Sequence, residues 1–205
     1  MYHKRPVNFA GIRGNAVLLG QRFVGEVLHK GSVAVDATAG NGYDTLFLAN
    51  SVGECGRVYA FDIQQSALDI TARRLKQFGL EKNVTLIHDG HEKMDLYIVP
   101  PVDAFIFNLG YLPGGDHDKI TRPSTTVKAL QIALDMLNPG GRISIVVYTG
   151  HLGAGEESRT VEEMAAKLDP RIFGVLKVTF INRSASAPFL IFIERVKKEN
   201  ENLAP

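Results

Sequence analysis

The chain of 205 residues reads as an α/β protein: a mostly parallel seven-stranded sheet with helices on both faces and an antiparallel hairpin at its C-terminal end. Three observations predict this. Short β-rich runs alternate with longer amphipathic ones, the pattern of strands connected by covering helices. Glycine and Asn-Pro breakers follow the amphipathic runs, where helix-to-strand turns need them. The last two β-rich runs are joined by "RSASA", a link far too short for a crossover helix and suited to a hairpin.

Taken in order, a helix is expected over about Ala16–Leu28, followed by the strand "VAVDA" from Val33. The second and third strands are "RVYAFD" from Arg57 and "NVTLIH" from Asn83. Between them "SALDITARRLKQF" puts Leu68, Ala72 and Leu75 on one helical face and stops at Gly79. "DAFIFN" from Asp103 is the fourth strand. "STTVKALQIALDML" then presents Val127, Leu130, Leu134 and Leu137, and "NPGG" from Asn138 turns the chain into a fifth strand, "RISIVVY". A charged helix, about Glu156–Leu168, precedes the hairpin runs "FGVLKVTFIN" and "PFLIFIERV". The whole chain, 1–205, is expected to form one domain, with residues 1–15 a basic arm and 197–205 a polar tail.

Composition narrows the function classes. The 23 basic and 22 acidic residues leave a net charge of +1, so any nucleic-acid footprint must come from local clustering. Lys4, Arg5, Arg13, Arg22 and Lys30 form such a cluster against a single acid, Glu26, in the first thirty residues; a solvated helix face and a frayed terminus explain it more simply. No apolar run approaches the ~18 residues of a membrane span, and the N-terminus lacks the apolar core of a signal peptide. The single Cys55 excludes an intrachain disulfide and a cysteine-rich metal cluster, and no metal is expected. A cytoplasmic protein is expected.

The strongest local signal is "VAVDATAGNGYDT". An apolar strand runs into Gly40-Asn41-Gly42, and Asp44 and Thr45 open the next helix, so backbone N–H groups are offered to a ligand at the end of the first strand. A dinucleotide fingerprint would carry a third glycine where Thr45 stands. Asp36 and Asp44, bracketing the loop, would repel a pyrophosphate but suit a cationic ligand, and S-adenosylmethionine carries an ammonium and a sulfonium. Asp62 ends the second strand 20 residues past Gly42, the interval at which an acid reaches ribose hydroxyls; it also suits a cap for the helix that follows. Asp89, Gly90 and His91 end the third strand, where they would edge an adenine. "FNLGYLPGGD", Phe107 to Asp116, ends the fourth strand with an asparagine, a tyrosine and three glycines, either a turn or the wall of an active site.

Together "DATAGNGYDT", "FDIQ", "FNLGYLPGGD" and "VVYTGH" resemble a Rossmann-like class I methyltransferase. More narrowly they resemble the bacterial family long labelled rRNA methylases, of the YtqB/MnmM type, whose characterised members are tRNA 5-(aminomethyl)-2-thiouridine methyltransferases. The likeness runs from about residue 16 to about residue 195. It implies methyl transfer from S-adenosylmethionine to the primary amine of an aminomethyl group on the wobble uridine in the tRNA anticodon stem-loop. Carried over by motif, Asn41, Asp44, Asp62, Gln64 and His91 would hold the cofactor, and Asn108, Tyr111 and the following glycines would face the acceptor. The chain departs from the pattern at "GGDHDK", where a lysine more commonly follows the aspartate, and in its longer basic arm.

Such a transfer is an in-line displacement, so the protein's task is alignment of a neutral nitrogen lone pair and exclusion of water. The Asn108 side-chain carbonyl is suited to accept from the amine's N–H groups, and Tyr111 to stack on the base. Asp116, His151 or bulk water would take the proton, and the sequence does not choose. Tyr148 is placed like His151, with core packing as an alternative. Three rivals remain open here: the same cofactor with rRNA or a small-molecule amine as acceptor, a cofactor-binding regulator, and a nicotinamide-dependent dehydrogenase. A homodimer is a further expectation, since one domain without an added RNA-binding module must grip the tRNA.

Overall fold

The computed structural model describes residues 15–110, 121–150, 154–184 and 186–197. Among the described residues twelve α-helices and β-strands follow one another: α1 (Ala16–Gly25), β1 (Val33–Asp36), α2 (Tyr43–Val52), β2 (Arg57–Phe61), α3 (Gln65–Phe78), β3 (Val84–Ile87), β4 (Val102–Leu109), α4 (Pro123–Met136), β5 (Leu137–Val147), α5 (Ala154–Ala166), β6 (Phe173–Val178) and β7 (Phe189–Arg195). They form one seven-stranded sheet in the order β3-β2-β1-β4-β5-β7-β6. Its first five strands run parallel, and β7 lies antiparallel between β5 and β6. The expected sheet and hairpin are therefore present.

Period-two alternation sorts the strand side chains to two faces. Val35, Phe105, Phe107, Ile143 and Ile191 join the core under α4 and α5. Ala34, Ala104, Ile106 and Val58 join the core under α1 and α2. Successive strands are added toward one edge from β1 to β3 and toward the other from β4 on, so a crevice opens beyond the carboxyl ends of β1 and β4, where ligands bind in open α/β sheets.

Four local expectations need correction. In α3 the buried face is Ala67, Leu68, Thr71 and Leu75, while Ala72 is exposed. In α4 it is Thr126, Ala129, Leu130, Ala133, Leu134 and Met136, with Val127 only half-buried. The helix α1 stops at Gly25, short of Leu28: Gly25 packs under the Phe47 ring, and Val27 turns back to bond the Val24 carbonyl. Finally, "NPGG" is not a turn ahead of β5 but a bulge inside it. Val102 pairs with Leu137 and Ala104 with Arg142, so β5 carries extra residues between two ladder pairs, one of them Gly140 at φ +81°. Asp103 holds that bulge, accepting from Asn138 Nδ2 at 2.6 Å and from the Val33 N–H at 2.9 Å.

The helix α1 packs across β4, β5 and β7. Gly20 makes this possible, because a Cβ there would collide with Ser144 Oγ on β5. Arg142 fastens the far end of the helix, donating to Glu194, Glu26 and the Phe23 carbonyl while its guanidinium covers the Phe23 ring. Among the described residues no helix is long and apolar enough to cross a membrane.

Candidate active site

A cavity of about 750 Å³ lies beyond the carboxyl ends of β1, β2, β3 and β4. The glycine loop forms its floor. Asp36 ends β1 fully buried, accepting from Thr45 Oγ1 at 2.6 Å and from the Thr38 N–H at 3.2 Å, which ties the loop to the first turn of α2. Burial first, then the neighbouring Asp44 charge, pushes its carboxyl up to about 7. Gly42, at φ +77°, takes the left-handed conformation beside Thr71, where a side chain would collide with Thr71 Cα. Asp36 and Gly42 were expected to touch a cofactor; neither lines the cavity, and both instead shape the loop that does. Gly40, Asn41 and Asp44 line it.

Asp62 faces the cavity and bridges two segments: one oxygen accepts from the Gly40 N–H and the other from the Gln64 N–H, each at 2.8 Å. The cap expected of Asp62 falls to Gln64, so Asp62 instead turns the chain into α3 by accepting the Gln64 N–H, and each of its carboxylate oxygens keeps a lone pair for a ligand. Burial raises its pKa against these two donors. Gln64, itself buried, stands at the N-cap of α3 and lines the same wall.

After β3, Asp89 accepts from Lys93 at 2.6 Å, from the Gly90 N–H at 2.8 Å and from the Tyr97 hydroxyl at 2.9 Å. The Lys93 bond, chiefly, holds its carboxyl below the usual range. His91 is buried, with Nδ1 3.1 Å from the Ala37 carbonyl oxygen and its ring edge-on to Phe107; burial lowers its pKa, which keeps the imidazole neutral. Asp89, Gly90 and His91 all line the cavity.

The fourth wall is Asn108, near the end of β4. Its backbone N–H donates to Thr38 Oγ1 at 2.8 Å and its side-chain amide to Asp44 Oδ2 at 2.7 Å. Its Oδ1 is buried and has no hydrogen-bond partner among the described residues. A buried acceptor left open is costly, so its presence at a cavity wall marks a position where a ligand N–H is wanted. Asp44 in turn accepts from Gln21 Nε2 at 2.6 Å. Burial raises the Asp44 pKa, and the two amide donors oppose that shift.

Sequence reasoning missed several residues here. Gln21 arrives from α1 and Thr38 from the loop after β1, with no motif to flag either. Thr121 and Glu157 pin the far rim: the Thr121 hydroxyl accepts from the Gly110 N–H at 3.0 Å and donates to buried Glu157 at 2.7 Å, and Thr126 gives Glu157 a second bond. Tyr148 lines the cavity, and burial followed by the Asp44 charge raises its pKa. Tyr111, Asp116 and His151, with His117 and Lys119, lie outside the described residues.

Among the described lining residues Asp44, Asp62, Asp89 and Glu92 are acidic and Arg122 alone is basic, and Asp89 is already paired with Lys93, which leaves three acids to one base. That balance suits a cationic ligand. Asp62 at the loop, the neutral His91 and the apolar Phe61 and Ala39 supply a diol acceptor and an aromatic-ring environment beside it. The donor set therefore fits a nucleoside that carries a positive charge.

Comparison with known proteins agrees with this chemistry. A family model described as "Putative rRNA methylase" matches residues 58–194. A structure of the same description from Clostridium thermocellum superposes with a TM-score of 0.87 at 44% identity, covering 89% of this chain and 98% of that one. A "putative methyltransferase" from Streptococcus mutans, solved in complex with SAH, gives a TM-score of 0.81 at 39% identity over 89% of this chain and 98% of that one. The chloroplastic tRNA (mnm(5)s(2)U34)-methyltransferase of Arabidopsis thaliana is 42% identical over 186 residues, 85% of this chain and 66% of that protein. The chain thus spans just under two thirds of that relative, and 52% of the cobalt-precorrin-6B C(15)-methyltransferase of Methanothermobacter thermautotrophicus, which it matches at 36% identity.

Proposed function

Since the chain belongs to the family described as "Putative rRNA methylase", we propose that it is an S-adenosylmethionine-dependent N-methyltransferase that converts the aminomethyl group on the wobble uridine of tRNA to methylaminomethyl. The observation that carries this reading is the open Asn108 Oδ1 beside an acid-lined nucleoside cavity. The tRNA acceptor is supported by the likeness to the Arabidopsis enzyme. The cofactor is supported by the Streptococcus relative solved with SAH, the demethylated form of the methyl donor.

In this reading Asp62 holds the ribose hydroxyls, Asp89, Gly90 and His91 border the adenine, and Gly40, Asn41 and the Asp44 side of the loop meet the amino-acid portion. When bound, S-adenosylmethionine supplies an electrophilic methyl group on sulfur. The protein's own contribution is placement. Asn108 Oδ1 accepts an N–H of the acceptor amine and leaves the nitrogen lone pair directed at the methyl position. A neutral amide oxygen orients a nucleophile without removing its proton, which suits an amine better than a hydroxyl. The buried Phe61 and Phe107 beside Ala37 keep water from the wall behind.

The remaining roles rest on sequence: Tyr111 as a stacking platform, Asp116 or His151 as proton acceptor, and Lys4, Arg5 and Arg13 as phosphate contacts. The enzyme acts in the cytoplasm and as one domain, paired in a homodimer. A dimer is supported by β6, an edge strand whose Val175 and Leu176 are exposed. The test is transfer of labelled methyl from S-adenosylmethionine to tRNA, rRNA and small amines from a strain lacking the protein. Label in tRNA, falling steeply with salt as phosphate contacts demand, is expected. Label confined to rRNA or to small amines overturns the proposal.

A further inference from the structure

Three residues from three distant parts of the chain form one chain of hydrogen bonds. Gln21 Nε2 donates to one oxygen of Asp44 at 2.6 Å, and Asn108 Nδ2 donates to the other at 2.7 Å. With both carboxylate oxygens accepting, the Asn108 amide has one allowed polarity: nitrogen toward Asp44, oxygen away from it. That oxygen is the buried atom without a partner. The Asn108 backbone is held as well, by Thr38 Oγ1, so the side chain cannot drift from the carboxylate.

We infer that Gln21 is a positioning residue, which acts through Asp44 to keep the Asn108 carbonyl oxygen free and so selects an acceptor that presents an N–H, a primary or secondary amine. The inference rests on the proposed N-methyl transfer for its acceptor class, but the geometry stands apart from it. The structure builds the arrangement deliberately from α1, which nothing in the glycine loop requires. Gly20, next to Gln21, lets α1 nest on Ser144 of β5, and the Arg142 bonds to Phe23 and Glu26 lock the helix at that depth. At that depth the Gln21 amide meets Asp44.

The carboxylate form of Asp44 is what sets the polarity. A protonated Asp44 has an O–H to donate, and the Asn108 amide then turns its oxygen inward and closes the acceptor. Each N–H donor favours the charged form, so removing Gln21 raises the pH at which this reversal occurs. Among the described residues, Asp36 on β1 and Tyr148 after β5 are the titratable groups whose fields meet Asp44.

The experiment compares the full chain with Gln21→Met, which keeps the length and loses the donor, and with Gln21→Lys, which restores one. In Gln21→Met, kcat on tRNA is expected to fall about tenfold to a hundredfold, the range for a lost hydrogen bond to a charged group. SAH affinity and KM for tRNA should stay within about twofold, and the acid limb of the kcat profile should move to higher pH. Gln21→Lys should recover most of the loss. Independently of turnover, the Asn108 side-chain amide in ¹H–¹⁵N spectra of the protein alone should titrate with Asp44, at a higher midpoint in Gln21→Met. An unchanged kcat and an unmoved midpoint in a folded Gln21→Met protein overturn the inference. If the unaltered protein methylates no tRNA but the amide midpoint shifts as stated, the positioning role stands and the acceptor assignment falls. If neither the amide titrates nor its midpoint moves, the positioning role falls whatever the activity.

Discussion

Asn108 donates its side-chain amide to Asp44 and leaves its carbonyl oxygen buried with no partner among the described residues. A side chain half-satisfied in this way is a cost to the fold that an incoming N–H relieves. Asn108→Ala is therefore expected to lower kcat at least about a hundredfold, the scale of a lost reaction-centre hydrogen bond. SAH binding by calorimetry should stay nearly intact. Undiminished methylation by this variant would remove Asn108 from the reaction.

Asp62 joins the glycine loop to α3 while facing the cavity. Asp62→Ala should weaken SAH binding about tenfold to a hundredfold and lower stability by about 1–3 kcal/mol, since the Gly40 and Gln64 N–H groups lose their acceptor. Calorimetry and thermal unfolding read the two effects separately. Full SAH affinity in a destabilised protein would confine Asp62 to joining the loop to α3.

Asp36 carries the pH dependence. Its folded-state pKa, about 7, lies above its unfolded value of 3.8, so the folded protein binds the proton more tightly. The stability this contributes is complete below the unfolded pKa and is lost as pH rises through the window up to about 7. Asp44 and Asp62 are shifted in the same direction. His91, with its pKa lowered, acts oppositely and loses stability as pH falls below its unfolded value of 6.5. Asp36→Asn should flatten the fall in melting temperature between pH 4 and 7; the same slope in wild type and variant would contradict the shift.

How much of this was readable beforehand follows from the kind of signal each part leaves. The strands and the glycine loop announce themselves through period-two apolar runs and Gly40-Asn41-Gly42, and the carboxyl ends of the five parallel strands fall within a few residues of expectation. The bulge at Asn138–Gly141 did not, because "NPGG" has the same composition in a turn as in a bulge, and only the Asp103 bonds decide between them. The charge of Asp36 suggests a ligand contact, whereas its burial against Thr45 makes it a loop anchor. Gln21, Thr121 and Glu157 leave no local pattern, since their partners are 23, 11 and 31 or more positions away.

Arg142 ties α1 to β5 and β7 through Glu26, Glu194 and the Phe23 carbonyl. Both glutamates are partly exposed, so solvent screening limits their share. Arg142→Ala should lower stability by about 1–3 kcal/mol, several degrees in melting temperature for a chain of this size. Because α1 carries Gln21, kcat should fall as well. Lost stability with kcat unchanged would separate the helix anchor from the site.

The central claim is tested most directly by nucleoside mass spectrometry of tRNA from a strain lacking the protein, after incubation with purified enzyme and methyl-labelled S-adenosylmethionine. The account predicts that the 5-aminomethyl-2-thiouridine nucleoside is consumed and its labelled methylaminomethyl counterpart appears. Label on any other nucleoside, or on none, would contradict it.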